Sequence, residues 1–276
     1  MADPPRRGNG VSGAPPTILQ VKDLTVLFDG LTAVDRLSFE VRRGSVHGLI
    51  GPNGAGKTTA FNLISGVLVP TSGHILLEKF PLNGLPTYER TKLGVARTFQ
   101  NIRTFHGMSL LENVMTGAHV RTKYGIGAAL LRSKSFRRDE EETIAHARQL
   151  LHFVGLSAHA DRCAADLSYG DQRKLELARA LATRPKLLML DEPAAGMNPS
   201  ETEALFELIV RLHEAGLTVL VVEHDMPFVM KLCDEITVLN FGRKIADGSP
   251  REIRRNPAVI EAYLGVDEGE TSDVAL

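Results

Sequence analysis

The residues with the clearest chemistry form a glycine-rich stretch, Gly51-Pro52-Asn53-Gly54-Ala55-Gly56-Lys57-Thr58. It matches the pattern G-x-x-x-x-G-K-[ST], and the sequence predicts a strand before it and a helix after it. In that setting backbone N–H groups turn inward as an anion nest, and the helix dipole adds positive potential. We expect Lys57 to reach the β- and γ-phosphates of ATP and Thr58 to bind Mg²⁺, with Thr59 beside them. The alternative is a glycine-rich turn without a ligand.

A pair of carboxylates is the second chemical feature. The apolar run Leu187-Leu188-Met189-Leu190 ends in Asp191 and Glu192. A buried strand would fix Asp191 at its tip, where it can bind the Mg²⁺ shell, and Glu192 could orient or deprotonate an attacking water. A solvated acidic turn is the alternative, but a phosphate-binding loop of this type needs an acidic partner on a strand.

Composition bounds the class of protein. The chain has 276 residues, 43% hydrophobic and 24% charged, which is ordinary for a globular protein with one large domain or two small ones. The net charge of −1 gives no overall field that would favour nucleic acid. The two cysteines, Cys163 and Cys233, form no pairing motif, which suits a reducing compartment. No apolar run approaches the roughly 18–20 residues that span a bilayer, and the N-terminus lacks the pattern of a secretory signal.

Periodicity predicts the elements that position these residues. Strands are predicted over residues 18–28, 37–41, 46–50, 74–77, 187–190, 217–222, 236–239 and 244–246, and helices over 57–65, 137–154 and the region from Gly170 to Leu181. Capping boxes are predicted at Ser109–Glu112 and at Ser200–Glu203, and Pro250 opens a further helix. Residues 1–16 are expected to be disordered, 88–165 to form a helical insertion with a mobile connection over 121–138, and 266–276 to be a loose acidic tail.

A third motif, Leu167-Ser168-Tyr169-Gly170-Asp171-Gln172-Arg173, leads into a helix ahead of the acidic strand. Here the sequence resembles the ATP-binding subunits of ABC transporters, whose commonest signature is Leu-Ser-Gly-Gly-Gln. The chain differs from it at Tyr169 and Asp171. The resemblance implies that Ser168 and Gly170 contact the γ-phosphate bound to a partner subunit. It also implies an α/β fold: a P-loop NTPase core (ABC ATPase) over residues 17–265 with an antiparallel β subdomain and an inserted α-helical subdomain.

The same resemblance assigns roles to further residues. Phe28 would stack on adenine, Gln100 would contact Mg²⁺ and link to the helical subdomain, and His224 would touch the γ-phosphate. Each residue also has a plainer interpretation: Phe28 as a core phenylalanine, Gln100 as a solvated loop glutamine and His224 as a histidine that caps the next helix. Asn198 stands where the family usually has aspartate, so it cannot carry that charge.

Within the superfamily, residues 191–199, 96–102 and 259–265 resemble the G-type ATPase of branched-chain amino-acid importers, and the lipopolysaccharide-export ATPase is a close relative. The resemblance implies a head-to-tail dimer with a second ABC ATPase subunit, two transmembrane permease subunits, an indirect role for a substrate-binding protein, and a place on the cytoplasmic side of the inner membrane. A soluble ABC-type ATPase acting on DNA or ribosomes is a rival, against which the single cassette and lack of a basic tail argue. A purely regulatory nucleotide-binding module is another, against which Glu192 and His224 together argue.

Overall fold

The structure is a computed structural model that describes residues 16–28, 30–100, 103–121 and 134–264. The strands are β1 (Thr17–Phe28), β2 (Leu31–Arg42), β3 (Val46–Ile50), β4 (Ser72–Leu77), β5 (Phe80–Pro81), β6 (Val95–Arg97), β7 (Leu187–Asp191), β8 (Thr218–Val222), β9 (Glu235–Asn240) and β10 (Arg243–Gly248). The helices are α1 (Lys57–Ser65), α2 (Thr87–Leu93), α3 (Leu110–Ala118), α4 (Lys134–Phe153), α5 (Tyr169–Ala182), α6 (Pro199–Glu214), α7 (Met226–Leu232), α8 (Pro250–Arg254) and α9 (Pro257–Leu264).

The larger sheet has the strand order β10-β9-β3-β8-β7-β6, and all its strands except β10 run parallel. Its central strands are apolar along their whole length because both faces of the sheet are covered. In β7, Leu188 and Leu190 pack into one core cluster, whereas Leu187 and Met189 pack into the other. Parallel strands of this kind place all their carboxyl ends along one edge of the sheet.

A second, antiparallel sheet has the order β2-β1-β4-β5 and covers one face of the larger sheet together with α1. The strand predicted over 18–28 and the helix predicted over 57–65 are confirmed, and Gly66 ends α1 in a left-handed conformation. This arrangement confirms the predicted fold class of a parallel P-loop core with an antiparallel β subdomain.

The opposite face carries the helical layer, in which α3 packs on α4 and α5. Residues 88–165, predicted as a mostly helical insertion, also contain a short strand. Val95–Arg97 form β6, an edge strand of the larger sheet paired with β7, so the helical layer begins only at α3. It also includes α5, which extends to Ala182.

Of the three helix starts predicted from capping residues and proline, two are confirmed and one is wrong. Ser109 and Glu112 form the expected box at the start of α3, and Ser249 with Glu252 opens α8 with Pro250 at its first position. The box predicted at Ser200–Glu203 is wrong: Asn198 is the N-cap of α6 and pairs with Glu201, because Pro199 takes the first helical position. The predictions for residues 1–15, Asp29, most of 121–138 and 266–276 lie outside the described residues.

Candidate functional site

The predicted site residues gather along the edge of the larger sheet where its parallel strands end. The phosphate loop follows β3, Gln100 lies just beyond β6, Glu192 follows β7, and His224 lies just beyond β8. The end of β7 is also tied to β8, because the N–H of Glu192 donates to the carbonyl oxygen of Val222 at 2.9 Å. The topology thus brings together four segments that are far apart in the sequence.

The phosphate loop has the conformation of an anion-binding nest. Gly56 caps α1 with a φ of 97° and makes no side-chain capping hydrogen bond. A β-carbon at Gly56 would lie 2.7 Å from the carbonyl oxygen of Ala33, so the loop can pass β2 only with glycine here. Within the loop, Asn53, Gly54 and Thr58 are exposed, Pro52, Gly56 and Thr59 are half-buried, and Gly51, Ala55 and Lys57 are buried. The amides at the start of α1 are therefore left to bind a phosphate.

Lys57 folds back over its own loop. Its Nζ donates to the carbonyl oxygens of Gly51 at 2.7 Å and Pro52 at 2.9 Å. Burial lowers the pKa of this ammonium, and the nearby charge of Glu192 raises it. Lys57 and Glu192, predicted from separate motifs, therefore belong to one electrostatic site.

The two acidic residues at the end of β7 have different surroundings. Asp191 is buried, and its Oδ2 accepts from Arg97 Nη2 at 2.6 Å. Glu192 accepts from Gln100 Nε2 at 2.7 Å through Oε2, and its backbone has a φ of 45°, in the left-handed region. Gln100 is exposed and lies in a loop, as its plainer interpretation expects, but its side chain also bonds to Glu192.

The segment after β8 contains a residue that the sequence did not reveal. Glu223 is buried, and its two carboxylate oxygens accept from the N–H groups of Ala194 at 2.9 Å and His224 at 3.2 Å. Burial raises the pKa of this carboxyl, and the two hydrogen bonds lower it. The helix-capping alternative for His224 is wrong, because Asp225 caps α7 and leaves the His224 side chain 60% exposed.

The third motif lies at the start of α5, on the helical layer. Ser168 is the N-cap, and its Oγ accepts from the N–H of Asp171. A β-carbon at Gly170 would lie 2.6 Å from Glu201 Oε1, so the signature packs directly against α6. The phosphate loop connects β3 to α1. Ser168 and Gly170 thus belong to a different layer of the protein from that loop.

Phe28 lies at the end of β1 and is 42% exposed, so its interpretation as a core phenylalanine is wrong. An exposed ring at a strand end can stack on a planar base. Two further residues were overlooked: Arg97, which binds Asp191, and Arg173, which donates to the carbonyl oxygens of Phe99 and Gln100. Both arginines lie within sequence motifs, but contacts between segments that are far apart in the chain leave no spacing signal.

The oxygen donors present fit Mg²⁺. Within the residues that the structure describes, no group of three or more His, Cys, Asp or Glu side chains could bind a metal by itself. Thr58, Gln100 and Asp191 offer a hydroxyl, an amide and a carboxylate oxygen, which are hard ligands. Mg²⁺ commonly takes one or two such ligands and completes its shell with water and substrate phosphates.

Comparisons with known proteins give the site its family. Residues 34–195 match the model of the ABC transporter family, and residues 243–269 match a model described as branched-chain amino acid ATP-binding cassette transporter. The chain is 48% identical over 249 residues to the high-affinity branched-chain amino acid transport ATP-binding protein LivG of Salmonella typhimurium, covering 90% of this chain and 98% of that one.

Similar solved structures are also ATP-binding cassettes. A nucleotide-free ATP-binding cassette from an ABC transporter superposes with a TM-score of 0.79 at 31% identity, covering 90% of this chain and 99% of that one. A dimeric cassette in a post-hydrolysis state, bound to ADP and phosphate, gives a TM-score of 0.71 at 25% identity, with 85% and 99% covered. The fold and the phosphate loop define a nucleotide-binding P-loop ATPase. The chain belongs to the ATP-binding family of ABC transporters.

Proposed function

We propose that the chain is the ATP-hydrolysing subunit of an ABC importer for branched-chain amino acids. The observation that carries the ATPase part is the direct bond between Gln100 and Glu192, beside the phosphate loop that holds Lys57. The C-terminal match over residues 243–269 and the similarity to LivG support the substrate class. Both findings favour branched-chain amino-acid import over lipopolysaccharide export, the related function that the sequence did not exclude.

In this proposal ATP binds with its adenine on Phe28 and its phosphates in the loop from Gly51 to Thr59. Lys57 leaves the carbonyl oxygens of Gly51 and Pro52 for the β- and γ-phosphates, because charged oxygens are stronger acceptors than carbonyls. Mg²⁺, when bound, would neutralise charge on the phosphates. Thr58, Gln100 and Asp191 would hold it, Asp191 through Oδ1 or a water, since Arg97 occupies Oδ2.

Glu192 would orient the attacking water and accept its proton. Gln100 holds one carboxylate oxygen, which leaves the other for the water. His224, exposed beside Glu223, would donate to the γ-phosphate as charge develops there. Catalysis would then depend on positioning and electrostatic stabilisation rather than on a covalent intermediate.

A second ABC ATPase subunit would complete each site. Ser168 and Gly170 lie on the helical layer of this chain, where they are suited to close over a nucleotide held by another subunit in a head-to-tail dimer. The similarity to a dimeric cassette supports this arrangement. None of the helices in the described part of the chain has the length and apolar character of a bilayer-crossing segment. From the similarity to ABC transporter ATP-binding proteins, we propose that two permease subunits, served by a substrate-binding protein, provide the membrane passage and that this subunit lies on the cytoplasmic side of the inner membrane.

The decisive variant is Glu192→Gln, which keeps the size and hydrogen-bonding shape of the side chain but removes the base. ATP turnover should fall by roughly 10²- to 10⁴-fold while ATP affinity is retained and ATP-bound dimers accumulate. Glu207→Gln, at an exposed position of α6, is the matched control and should hydrolyse ATP normally. Near-normal hydrolysis by Glu192→Gln would refute the assigned role.

The substrate class needs a separate measurement, because the ATP site does not touch the cargo. The chain is reconstituted in liposomes with its permease subunits, and binding proteins loaded with different solutes are added. Leucine, isoleucine or valine on the binding protein should stimulate ATP turnover. Stimulation only by a chemically different solute would refute the branched-chain assignment and leave the ATPase assignment intact.

A further inference from the structure

One face of α5 holds the backbone of the loop that carries Gln100. Arg173 is buried, and its guanidinium donates through Nη1 to the carbonyl oxygen of Phe99 at 2.9 Å and through Nη2 to that of Gln100 at 2.7 Å. One turn further along α5, Glu176 Oε1 accepts from the N–H of Phe99 at 3.2 Å. The backbone of Gln100 is therefore attached to the helical layer.

The same guanidinium also binds Tyr169, the signature residue that departs from the family's usual glycine. Arg173 Nη2 donates to the Tyr169 hydroxyl at 2.7 Å, and the guanidinium carbon lies 5.2 Å from the centre of the ring. The hydroxyl in turn donates to the carbonyl oxygen of Ala195 at 3.0 Å. A phenol has one proton to donate and lone pairs to accept with, so these two contacts use it in both directions.

These bonds close into a ring through Glu192. Its carboxylate accepts from the Gln100 side chain, and the carbonyl oxygen of Gln100 accepts from Arg173. Arg173 binds Tyr169, whose hydroxyl binds Ala195, and the N–H of Ala195 returns to the carbonyl oxygen of Glu192 at 3.2 Å. The proposed base is thus held from its side chain and from its backbone by one continuous circuit.

The hydrogen-bond circuit stabilises an unusual backbone conformation at Glu192. A non-glycine residue in the left-handed region, here at a φ of 45°, persists only where its surroundings fix it. Gly196, the next residue after Ala195, lies against the tyrosine ring and has a φ of 77°, a left-handed conformation that glycine adopts without strain.

We infer that Tyr169 and Arg173 are positioning residues: they lock the loop of Gln100 to the turn after Glu192 and thereby hold Glu192 in its hydrolytic orientation. This inference rests on the proposed function, in which Gln100 and Glu192 form part of the hydrolytic site. It assigns to the signature helix a task within its own subunit, in addition to the contact with a partner's nucleotide proposed for Ser168 and Gly170.

The test uses Tyr169→Phe in the full chain, which removes the hydroxyl and keeps the ring. We expect the kcat for ATP to fall roughly fivefold to tenfold, because both hydrogen bonds of the hydroxyl are lost and each has a modest net strength, with unchanged KM and ATP affinity. Hydrogen exchange at the amides of Ala194 and Ala195 should become faster. Tyr88→Phe, which alters an exposed tyrosine bonded to Glu89, is the matched control and should change neither readout.

A double-variant cycle separates positioning from a general structural role. Arg173→Lys should lower kcat in the same way, and the combination with Tyr169→Phe should cost little more than the worse single variant, because either change opens the circuit. Additive losses, or a kcat of Tyr169→Phe equal to that of the unmodified chain, would overturn the inference. A normal kcat for Glu192→Gln would instead refute the proposed function, whereas the exchange measurement on Tyr169→Phe still reports on the circuit itself.

Discussion

Arg97 and Asp191 form a buried ion pair between two neighbouring strands of the larger sheet. The Nη2 to Oδ2 distance is 2.6 Å, and the side chains are 9% and 3% exposed. Arg97 Nη1 also donates to Asn62 Oδ1 at 2.7 Å and Ser65 Oγ at 2.8 Å, so the guanidinium joins the end of α1 to the end of β7. The pair fixes the carboxylate proposed as a metal ligand against the helix that begins at the phosphate loop.

Removal of Arg97 should therefore destabilise the protein strongly. Arg97→Ala leaves the carboxylate of Asp191 buried without its partner, which costs about 3–5 kcal/mol in the free energy of unfolding. Urea denaturation measures this loss. Arg97→Lys is the control: it keeps the charge but cannot bind three acceptors in one plane, and should lose less. A loss below about 1 kcal/mol for Arg97→Ala, typical of exposed pairs, would contradict the buried geometry.

Lys57→Ala should weaken nucleotide binding without preventing folding. The variant loses a charged donor to the phosphates, worth about 1.5–3 kcal/mol, or roughly a tenfold to hundredfold loss of ATP affinity. Equilibrium binding of ATP with Mg²⁺ measures the effect. Lys92→Ala, at an exposed position of α2, removes the same charge away from the loop and should bind normally. Equal affinities of the two variants would mean that Lys57 does not contact the phosphates.

Glu223→Gln tests the residue that holds both the Ala194 amide and the His224 amide. A glutamine carbonyl oxygen can accept from one N–H, but its NH₂ group faces the other, so one hydrogen bond to a charged group is lost. The free energy of unfolding should fall by about 1.5–3 kcal/mol. Thermal denaturation provides the measurement, and ATP turnover should drop because Ala194 and His224 lose their support. A fully stable, fully active variant would show that Glu223 supports neither.

Acid should destabilise the protein through His47, on β3. Burial, with a smaller opposing effect from Asp247, lowers the pKa of this imidazole from 6.5 to about 4. Because the unfolded chain takes up a proton that the folded chain rejects, stability is complete above pH 6.5 and is lost as the pH falls towards 4. Between pH 7 and pH 5 this group alone removes about 2 kcal/mol.

His47→Gln should flatten that pH dependence, which urea denaturation at several pH values can measure. His74→Gln, at an exposed position of β4, is the matched control and should leave the slope unchanged. Identical slopes for the unmodified chain and His47→Gln would contradict the burial of a neutral imidazole.

The sequence predicted the local features of this molecule well. The bounds of β3 and α1 were correct, because an apolar strand, a glycine-rich turn and a helix follow one another without competing patterns. The strand β6 was missed because three residues carry too little periodicity, and its strand character comes from pairing with β7. The capping box of α6 was misplaced by two residues, since Ser200 and Asn198 carry equally good capping side chains and Pro199 decides between them.

Contacts between distant segments were the part that the sequence could not supply. The roles proposed for Gln100 and Glu192 came from family resemblance, but their direct bond joins residues 92 positions apart. The partners of Arg97, Glu223 and Arg173 likewise follow from sheet order and helix packing. Those depend on the whole topology rather than on spacing along the chain.

The turn between Glu192 and α6 is anchored at three points along its length. Glu223 holds the Ala194 amide, Tyr169 holds the Ala195 carbonyl, and Asn198 is bound reciprocally to Glu201. A surface segment that is already ordered loses little conformational entropy when another protein docks on it. Association through this turn should consequently proceed close to rigid-body docking, with the ordering cost already met when the subunit folds.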